Sequence, residues 1–549
     1  MGFYWVRIQL NRKFEGEGEI YMVQYISVEN LRHKLDVALD NEGELAILDV
    51  REIGQYAAGH LFFATHVPYS RLEFDIEAFV PRRNTSVVVY DDADGVSQKA
   101  VAALYRAGYE DISILEGGAP AWMSEGYTLY QGVNLPSKTF GELVEIELGT
   151  PRLSADQLAR RQKDGDDLII LDGRTPEEYR RFNIPGGMSC PNAELPLRFD
   201  DLVPSSETTV IINCAGRTRS IIGAQTLINF GVSNKVFALE NGTQGWSLAD
   251  LELEYGANRI PSMNIALKNC EVAQTRAKNV AKDFDLTPVD WETVVKWQND
   301  ETRTLFLMDV RSQDEYMRGH LPGSVHAPGG QLVQATDRWV GVRGSRIVVY
   351  DDTGVRAICT AHWLKQMGWD VYVLEQDTRA FVFEDAHYSN LNSELSRIDA
   401  KRLLELVLDG SVYILDLRTS KDFESEHIIG ANWCVRPLLD QINIPNDRPV
   451  VLVADDHAAA TLVAEDLRYR SIDDVYLFDG GMVSWREAGG SLVEGSLRPT
   501  DTERIDFAAF TAERHSGNKS HMRQYLEWEI NLVNQLDEQE RRVFKVIGA

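Results

Sequence analysis

Four times along this chain an apolar run closes on the same triplet, Asp-x-Arg. The copies are LAILDVR with Asp49 and Arg51, LIILDGR with Asp172 and Arg174, LFLMDVR with Asp309 and Arg311, and VYILDLR with Asp416 and Arg418. Eleven residues after each aspartate stand His60, Asn183, His320 and His427. A second apolar run ends at Asp91, Cys214, Asp351 and Asp455, which lie 42, 42, 42 and 39 residues after that aspartate. Each copy closes on ILEGGAPAW, ALENGTQGW, VLEQDTRAF or LFDGGMVSW, with an aromatic residue (Trp122, Trp246, Phe381, Trp485) six places after an acidic one. Order and spacing kept four times mean four copies of one supersecondary unit, so the fold has to be read repeat by repeat.

Each repeat opens on a residue suited to cap a helix N-terminus: Ser27, Ser154, Thr287 and Asp399. Short β-rich apolar runs alternate with helical patterns, which argues for a parallel sheet covered on both faces. The chain therefore reads as α/β: four tandem domains, each a small parallel sheet flanked by helices, plus a C-terminal helical tail. The domains are expected at residues 24–132, 146–257, 286–388 and 392–496. Residues 1–23 form an N-terminal extension, 258–285 a helical linker and 497–549 the tail. The tail contains HMRQYLEWEINLVNQLDEQERRVF, whose Met522, Tyr525, Leu526, Trp528, Ile530 and Leu532 are expected to dock on the chain itself; a homodimer through the tail stays open. The stretch KFEGEGEIYM reads as a translated leader, with Met22 as the start of the protein proper.

Composition narrows the class. Of 549 residues 44% are hydrophobic and 26% charged, and no apolar run nears the roughly 20 residues of a membrane span, so no membrane partner is expected. A formal charge of −28 repels phosphate backbones and argues against nucleic acid. Five scattered cysteines (Cys190, Cys214, Cys270, Cys359, Cys434) encode neither a disulfide scaffold nor a zinc site. That usage fits a reducing compartment, and with no secretory signal in the first residues the expected location is cytoplasmic.

Cys214 stands apart from the other four. It ends an apolar strand and begins the loop Ala215, Gly216, Arg217, Thr218, Arg219 and Ser220, which runs directly into a helix. The first N–H groups of a helix are unpaired and sit at its positive end, so such a junction favours an anion. Amides from Ala215 to Ser220, with Arg217 and Arg219, should favour a thiolate and make Cys214 a nucleophile. Gly216 lets the loop curl. The other cysteines read as small buried hydrophobes. Asp172 and Arg174 read as a buried pair bracing the loop from behind.

The strand with Asp-x-Arg, the glycine-rich turn after His320 (HLPGSVHAP), the cysteine loop and the Gly-Gly-x-x-x-x-Trp ending resemble the rhodanese (thiosulfate sulfurtransferase) family over most of residues 24–496. The resemblance implies that Cys214 accepts a sulfane sulfur as a persulfide from a small anionic donor such as thiosulfate. The sulfur then passes to cyanide, another thiophilic acceptor or a protein acceptor, with no metal or organic cofactor. Arg217 and Arg219 would hold the donor's charge. In mitochondrial members an arginine four places after the Asp-x-Arg arginine helps bind the donor; here that place is Glu178. The loop of the mercaptopyruvate enzymes, Cys-Gly-Ser-Gly, differs from CAGRTR.

The fold is also similar to certain tyrosine and dual-specificity phosphatases and arsenate reductases. Their signature puts arginine six places after cysteine, whereas here that place is Ser220. Repeats one, three and four carry aspartate at the cysteine position and resemble the family's inactive domains, since a carboxylate cannot carry sulfane sulfur. In the pairs Asp91–Asp92, Asp351–Asp352 and Asp455–Asp456, the first aspartate is expected to cap the following helix and the second to be solvated. The active repeat has Asn183 where the others have histidine, so no histidine base is implied. A non-turnover persulfide carrier or redox-sensing scaffold is the alternative to a sulfurtransferase.

Overall fold

The computed structural model describes residues 5–6, 23–203, 205–262, 265–375, 395–496, 498–508 and 517–548. Phe381, Met22 and the KFEGEGEIYM stretch lie outside the described residues. The chain forms two compact units. One comprises Met1–Leu31, Ile47–Gln131 and Ala386–Ala509, and the other Arg32–Ala46, Gly132–Asp385 and Phe510–Ala549. Most of repeat one thus shares a unit with repeat four, and repeats two and three share the second with the tail from Phe510 on and with Arg32–Ala46 of repeat one.

Every repeat builds the same five-stranded parallel arrangement, to which repeat one adds the antiparallel edge strand Trp5–Val6. In repeat two the order across the sheet is Arg152–Leu153, Val236–Leu239, Thr209–Asn213, Leu168–Asp172 and Met188–Ser189. In repeat three it is Thr287–Val289, Asp370–Leu374, Arg346–Tyr350, Leu305–Asp309 and Val325–His326. The second apolar run of each repeat is therefore the central strand. In repeat two its residues Val210, Ile211 and Ile212 are wholly buried, as expected for a strand covered on both faces. Cys214 follows at its carboxyl end, where open parallel sheets bind ligands.

The repeated residues hold this frame together. In all four copies the Asp-x-Arg guanidinium donates to its own aspartate and to a carbonyl eight residues on: Gly59, Phe182, Gly319 and Glu426, at 2.7, 2.6, 2.7 and 2.9 Å. The clamp ties the end of one strand to the end of the short helix after it. His60, His320 and His427 stack on Tyr56, Tyr316 and Phe423 at centroid distances of 3.6, 3.9 and 3.9 Å. The indole N–H groups of Trp122, Trp246 and Trp485 donate to Thr128, Glu252 and Ser491 at 3.1, 2.9 and 3.1 Å. These marks of the repeat are packing devices.

Several details differ from the sequence expectation. Ser154 caps its helix in a box with Gln157, and Asp399 caps the helix Ala400–Leu408. Thr287, however, lies in a short strand and Asp290 is the cap, because the edge strand takes up Thr287–Val289 first. In repeat four it is Asp456, not Asp455, that accepts from Ala458 and Ala459 N–H, the spacing being three residues shorter. The second aspartates are not simply solvated: Asp92 takes Arg51, Asp352 takes Arg356 and Asp456 takes Arg71. Within the linker, the helix spans Leu267–Asp283, while the N–H of Ser189 still donates to Arg259 at 2.9 Å. In the tail helix Lys519–Asn531, Met522, Tyr525 and Leu526 are buried, but Ile530 is exposed at the edge of that face.

One element was not foreseen. Residues between the first two repeats form the helix Leu135–Leu148, with Pro136 in its first turn and Gly149 in the left-handed conformation at its end. Its first ten residues are all buried. A side-chain carbon at Gly141 would lie 2.7 Å from Cγ2 of Thr218, so glycine is what lets this helix lie against the cysteine loop. Among the described residues no helix is long and apolar enough to cross a membrane.

Candidate active site

Cys214 is 2% exposed. Its carbonyl accepts from Thr243 N–H at 2.8 Å, and its Sγ accepts from the Ser220 hydroxyl at 3.0 Å. A carbon added at Gly242, whose φ is +52°, would fall 2.2 Å from the Cys214 carbonyl oxygen, so the closing Gly-x-x-x-Trp motif packs directly under the loop. The helix that follows, Thr218–Asn229, directs its N-terminus at the cysteine. Asp172 and Arg174, each 1% exposed, pair at 2.7 Å behind it, and the Asn213 amide donates to Asp172 at 2.9 Å.

The two loop arginines are already engaged. Arg217 donates from Nε and Nη2 to both oxygens of Glu142, each at 2.8 Å, and also to Glu145. Arg219 forms a two-pronged pair with Glu178 at 2.6 and 2.7 Å. Glu178 is placed by the capping box Thr175-x-x-Glu178 at the start of its helix. Burial opposes its ionisation, but the Arg219 guanidinium outweighs this and holds the carboxyl down to about 2. Glu142 is the reverse case: burial pushes it up to about 7 despite Arg217, with Glu529 and Glu145 adding to the rise.

A cavity of about 30 Å³ meets the loop, little more than the space of one water molecule. Besides Cys214 and its loop, it is lined by Lys138 of the helix Leu135–Leu148, by Gln244, and by Tyr525 and Glu529 of the tail. Glu529 accepts from the Thr218 hydroxyl at 2.9 Å and pairs with Lys138 at 3.4 Å; Lys138 also donates to the Tyr525 hydroxyl. Three cations thus face four carboxylates around the loop. With both loop guanidiniums paired to carboxylates, the helix N-terminus is the uncompensated positive feature at the cysteine.

Lys138, Glu142, Gln244 and Glu529 were not legible as site residues in the sequence, and Tyr525 was expected only to dock on the chain. The helix bearing Lys138 and Glu142 had a readable signal in Pro136 and Gly149, whereas the tail's approach to the loop is a long-range contact with none. Elsewhere, burial pushes the thiols of Cys190, Cys359 and Cys434 up, Cys434 to about 12, which leaves them poor nucleophiles. Among the described residues no group of His, Cys, Asp and Glu is arranged to hold a metal ion.

These features define a parallel α/β domain with a lone cysteine at the carboxyl end of its central strand, facing a helix N-terminus. The family model of the Rhodanese-like domain matches residues 32–125, 154–249, 290–383 and 399–488, and the chain belongs to the rhodanese family, with four copies of its domain. It is similar along nearly its whole length to a thiosulfate sulfurtransferase from Pseudomonas aeruginosa of known crystal structure. That protein is 39% identical, with a TM-score of 0.86, and the match covers 95% of this chain and 99% of that one. A thiosulfate sulfurtransferase of Pseudomonas aeruginosa PAO1 is 26% identical over 216 residues, 32% of this chain and 79% of the relative. The putative thiosulfate sulfurtransferase SseB of Mycobacterium tuberculosis is 31% identical over 127 residues, and the matched part spans only 43% of that relative's length.

Proposed function

We propose that this protein is a thiosulfate sulfurtransferase in which Cys214 carries the sulfur. The observation that bears most weight is that, of four equivalent strand ends, only the second offers a nucleophile, and it lines a cavity of about 30 Å³ with its Sγ 3.0 Å from Ser220 in the first turn of the following helix. The Cys214 thiolate attacks the outer sulfur of thiosulfate. The S–S bond of the donor breaks, and sulfite leaves with its electron pair. The persulfide anion is then stabilised by the unpaired N–H groups at the start of Thr218–Asn229 and by the Ser220 hydroxyl. A thiophilic acceptor takes the outer sulfur and returns the bonding pair to Cys214.

In this reading Arg217 and Arg219 chiefly hold the loop, each through its own carboxylates. When Glu142 protonates, the loop loses one negative charge while Arg217 stays paired with Glu145, so donor binding should strengthen as the pH falls through about 7, with Glu529 and Lys138 completing the local field. Asp172 and Arg174 brace the strand end and take no chemical part.

The test is to supply thiosulfate and cyanide to the protein and to its Cys214→Ser variant. Thiocyanate formation and a one-sulfur mass gain, both absent from the variant, are expected. Because Cys214 is almost wholly enclosed, a persulfide carrier that hands sulfur to one protein is the second reading; sulfur loading without thiocyanate would favour it. Steady release of phosphate from an aryl phosphate would overturn both.

A further inference from the structure

Beside the catalytic loop lies a second cavity, of about 400 Å³, walled by Phe182, Tyr255 and Met522 with Arg181 at its rim. It shares one residue, Gln244, with the small cavity at Cys214. We propose that this cavity binds the organic sulfur acceptor, a thiol with an apolar stem and a terminal anionic group, and that Gln244 is the partition through which its sulfur reaches Cys214. The proposal deepens the sulfurtransferase reading and rests on it.

Three observations converge. The Gln244 main-chain N–H is fixed to the Ala215 carbonyl at 3.1 Å, and a methyl carbon at Gly216 would lie 3.4 Å from its Nε2. Yet both polar atoms of its side chain are buried, at 2% exposure of the residue, with no hydrogen-bond partner among the described residues. A buried amide in that state costs free energy unless something polar joins it, which marks the partition as a place where a ligand's polar atoms belong. The walls are apolar and partly open: Tyr255 is 72% exposed, whereas Met522 is buried. Finally, the guanidinium of Arg181 lies 5.9 Å from the Phe182 ring centroid and pairs with no carboxylate among the described residues. The loop's own guanidiniums are paired, and Lys519, the other cation lining the cavity, is paired with Asp250, so Arg181 is the cation left to read an acceptor's charge.

The step balances without a further reagent. The acceptor thiolate attacks the outer sulfur of the Cys214 persulfide, a new S–S bond forms, and the bond to Cys214 Sγ breaks. The electron pair returns to Cys214, and the acceptor leaves as its own persulfide.

The experiment compares mercaptohexanoate with mercaptohexanol as acceptors for thiosulfate sulfur, with cyanide run alongside. The two thiols share length and thiol acidity and differ only in the remote charge. The native protein should favour the carboxylate about tenfold in kcat/KM, as one charge-assisted contact supplies. Arg181→Glu should erase or reverse that ratio, and Tyr255→Ala should lower both long thiols together. Equal kcat/KM for the two thiols in the native protein, or a preference untouched by Arg181→Glu, would overturn the acceptor site while cyanide turnover stands. Failure of cyanide turnover and of sulfur loading at Cys214 would instead remove the sulfurtransferase reading, and this proposal with it.

Discussion

Repeats two and three are wired almost identically, yet one ends its central strand in a thiol and the other in a carboxylate. In repeat two, Arg219 pairs with Glu178, four places after Arg174; in repeat three, Arg356 pairs with Glu315, four places after Arg311, at 2.8 Å. Both glutamates sit in capping boxes, Thr175 with Glu178 and Ser312 with Glu315. The contrast lies at the strand end. Asp351 accepts from the N–H of Thr353 and of Ala357 at 3.1 and 3.2 Å, the latter six places on, where repeat two has Ser220. In repeat one, Asp91 does the same with Ser97 at 2.8 Å.

A loop built to receive an anion is thus filled in repeats one and three by a carboxylate that belongs to it. The difference teaches that the arginine–glutamate pair is part of the domain's frame, and that chemistry depends on what the strand end contributes. Glu178, which at first sight weakens a donor site, has its twin in a repeat without a thiol, so a framework role explains it.

The largest test of this contrast is exchange at the strand end. Cys214→Ser should lower thiocyanate formation by about 10³-fold or more. Asp351→Cys should gain little, staying roughly a hundredfold below the native site. Repeat three has Ala357 where a hydroxyl meets the sulfur, and Arg356 is drawn also to Glu194 and Asp352. Comparable turnover at position 351, measured in a Cys214→Ser background, would break the comparison.

Next comes the shared frame. Arg174→Ala and Arg311→Ala each leave a buried aspartate without its partner, at a cost of about 3 to 5 kcal/mol, and the two losses in denaturant unfolding should match. A stability loss confined to Arg174→Ala would mean that the clamp is not a shared part of the frame, and an activity loss without a stability loss would give it a catalytic role.

Glu142 offers a pH test that repeat three lacks. Its carboxyl titrates higher in the fold than in the open chain, so the folded state holds the proton more tightly. Its contribution to stability is complete below about 4.5 and is lost as pH rises through about 7. The Glu142→Gln variant should therefore show a flatter stability profile over that window, and its KM for thiosulfate should lose the step near pH 7. The smallest effect is expected from Thr218→Val, which removes the bond to Glu529 and should loosen the tail helix by about 1 kcal/mol in hydrogen exchange.

Much of this was legible because it is local or repeated. The apolar runs, the caps at Ser154 and Asp399 and the alignment of Cys214 with three aspartates depend on residues near one another in sequence. Thr287 misled because an edge strand competed for it, and Asp456 because repeat four is three residues shorter between its landmarks. The fate of Arg217 and Arg219 was not legible, since Glu142 and Glu178 reach them from 75 and 41 residues away.

The amino-acid sequence alone determined the four α/β repeats, the family and the one repeat whose central strand ends in a cysteine where the others have aspartate, because period, spacing and side-chain chemistry are written along the chain. Only the tertiary structure decided that most of repeat one shares a unit with repeat four, and that repeats two and three share the other. It also decided that Lys138, Tyr525 and Glu529 wall the space at Cys214, and that the loop arginines are neutralised. Those outcomes depend on which buried faces and charges meet across hundreds of residues. Burial makes such meetings decisive, since an unpaired charge out of water is too costly to leave alone.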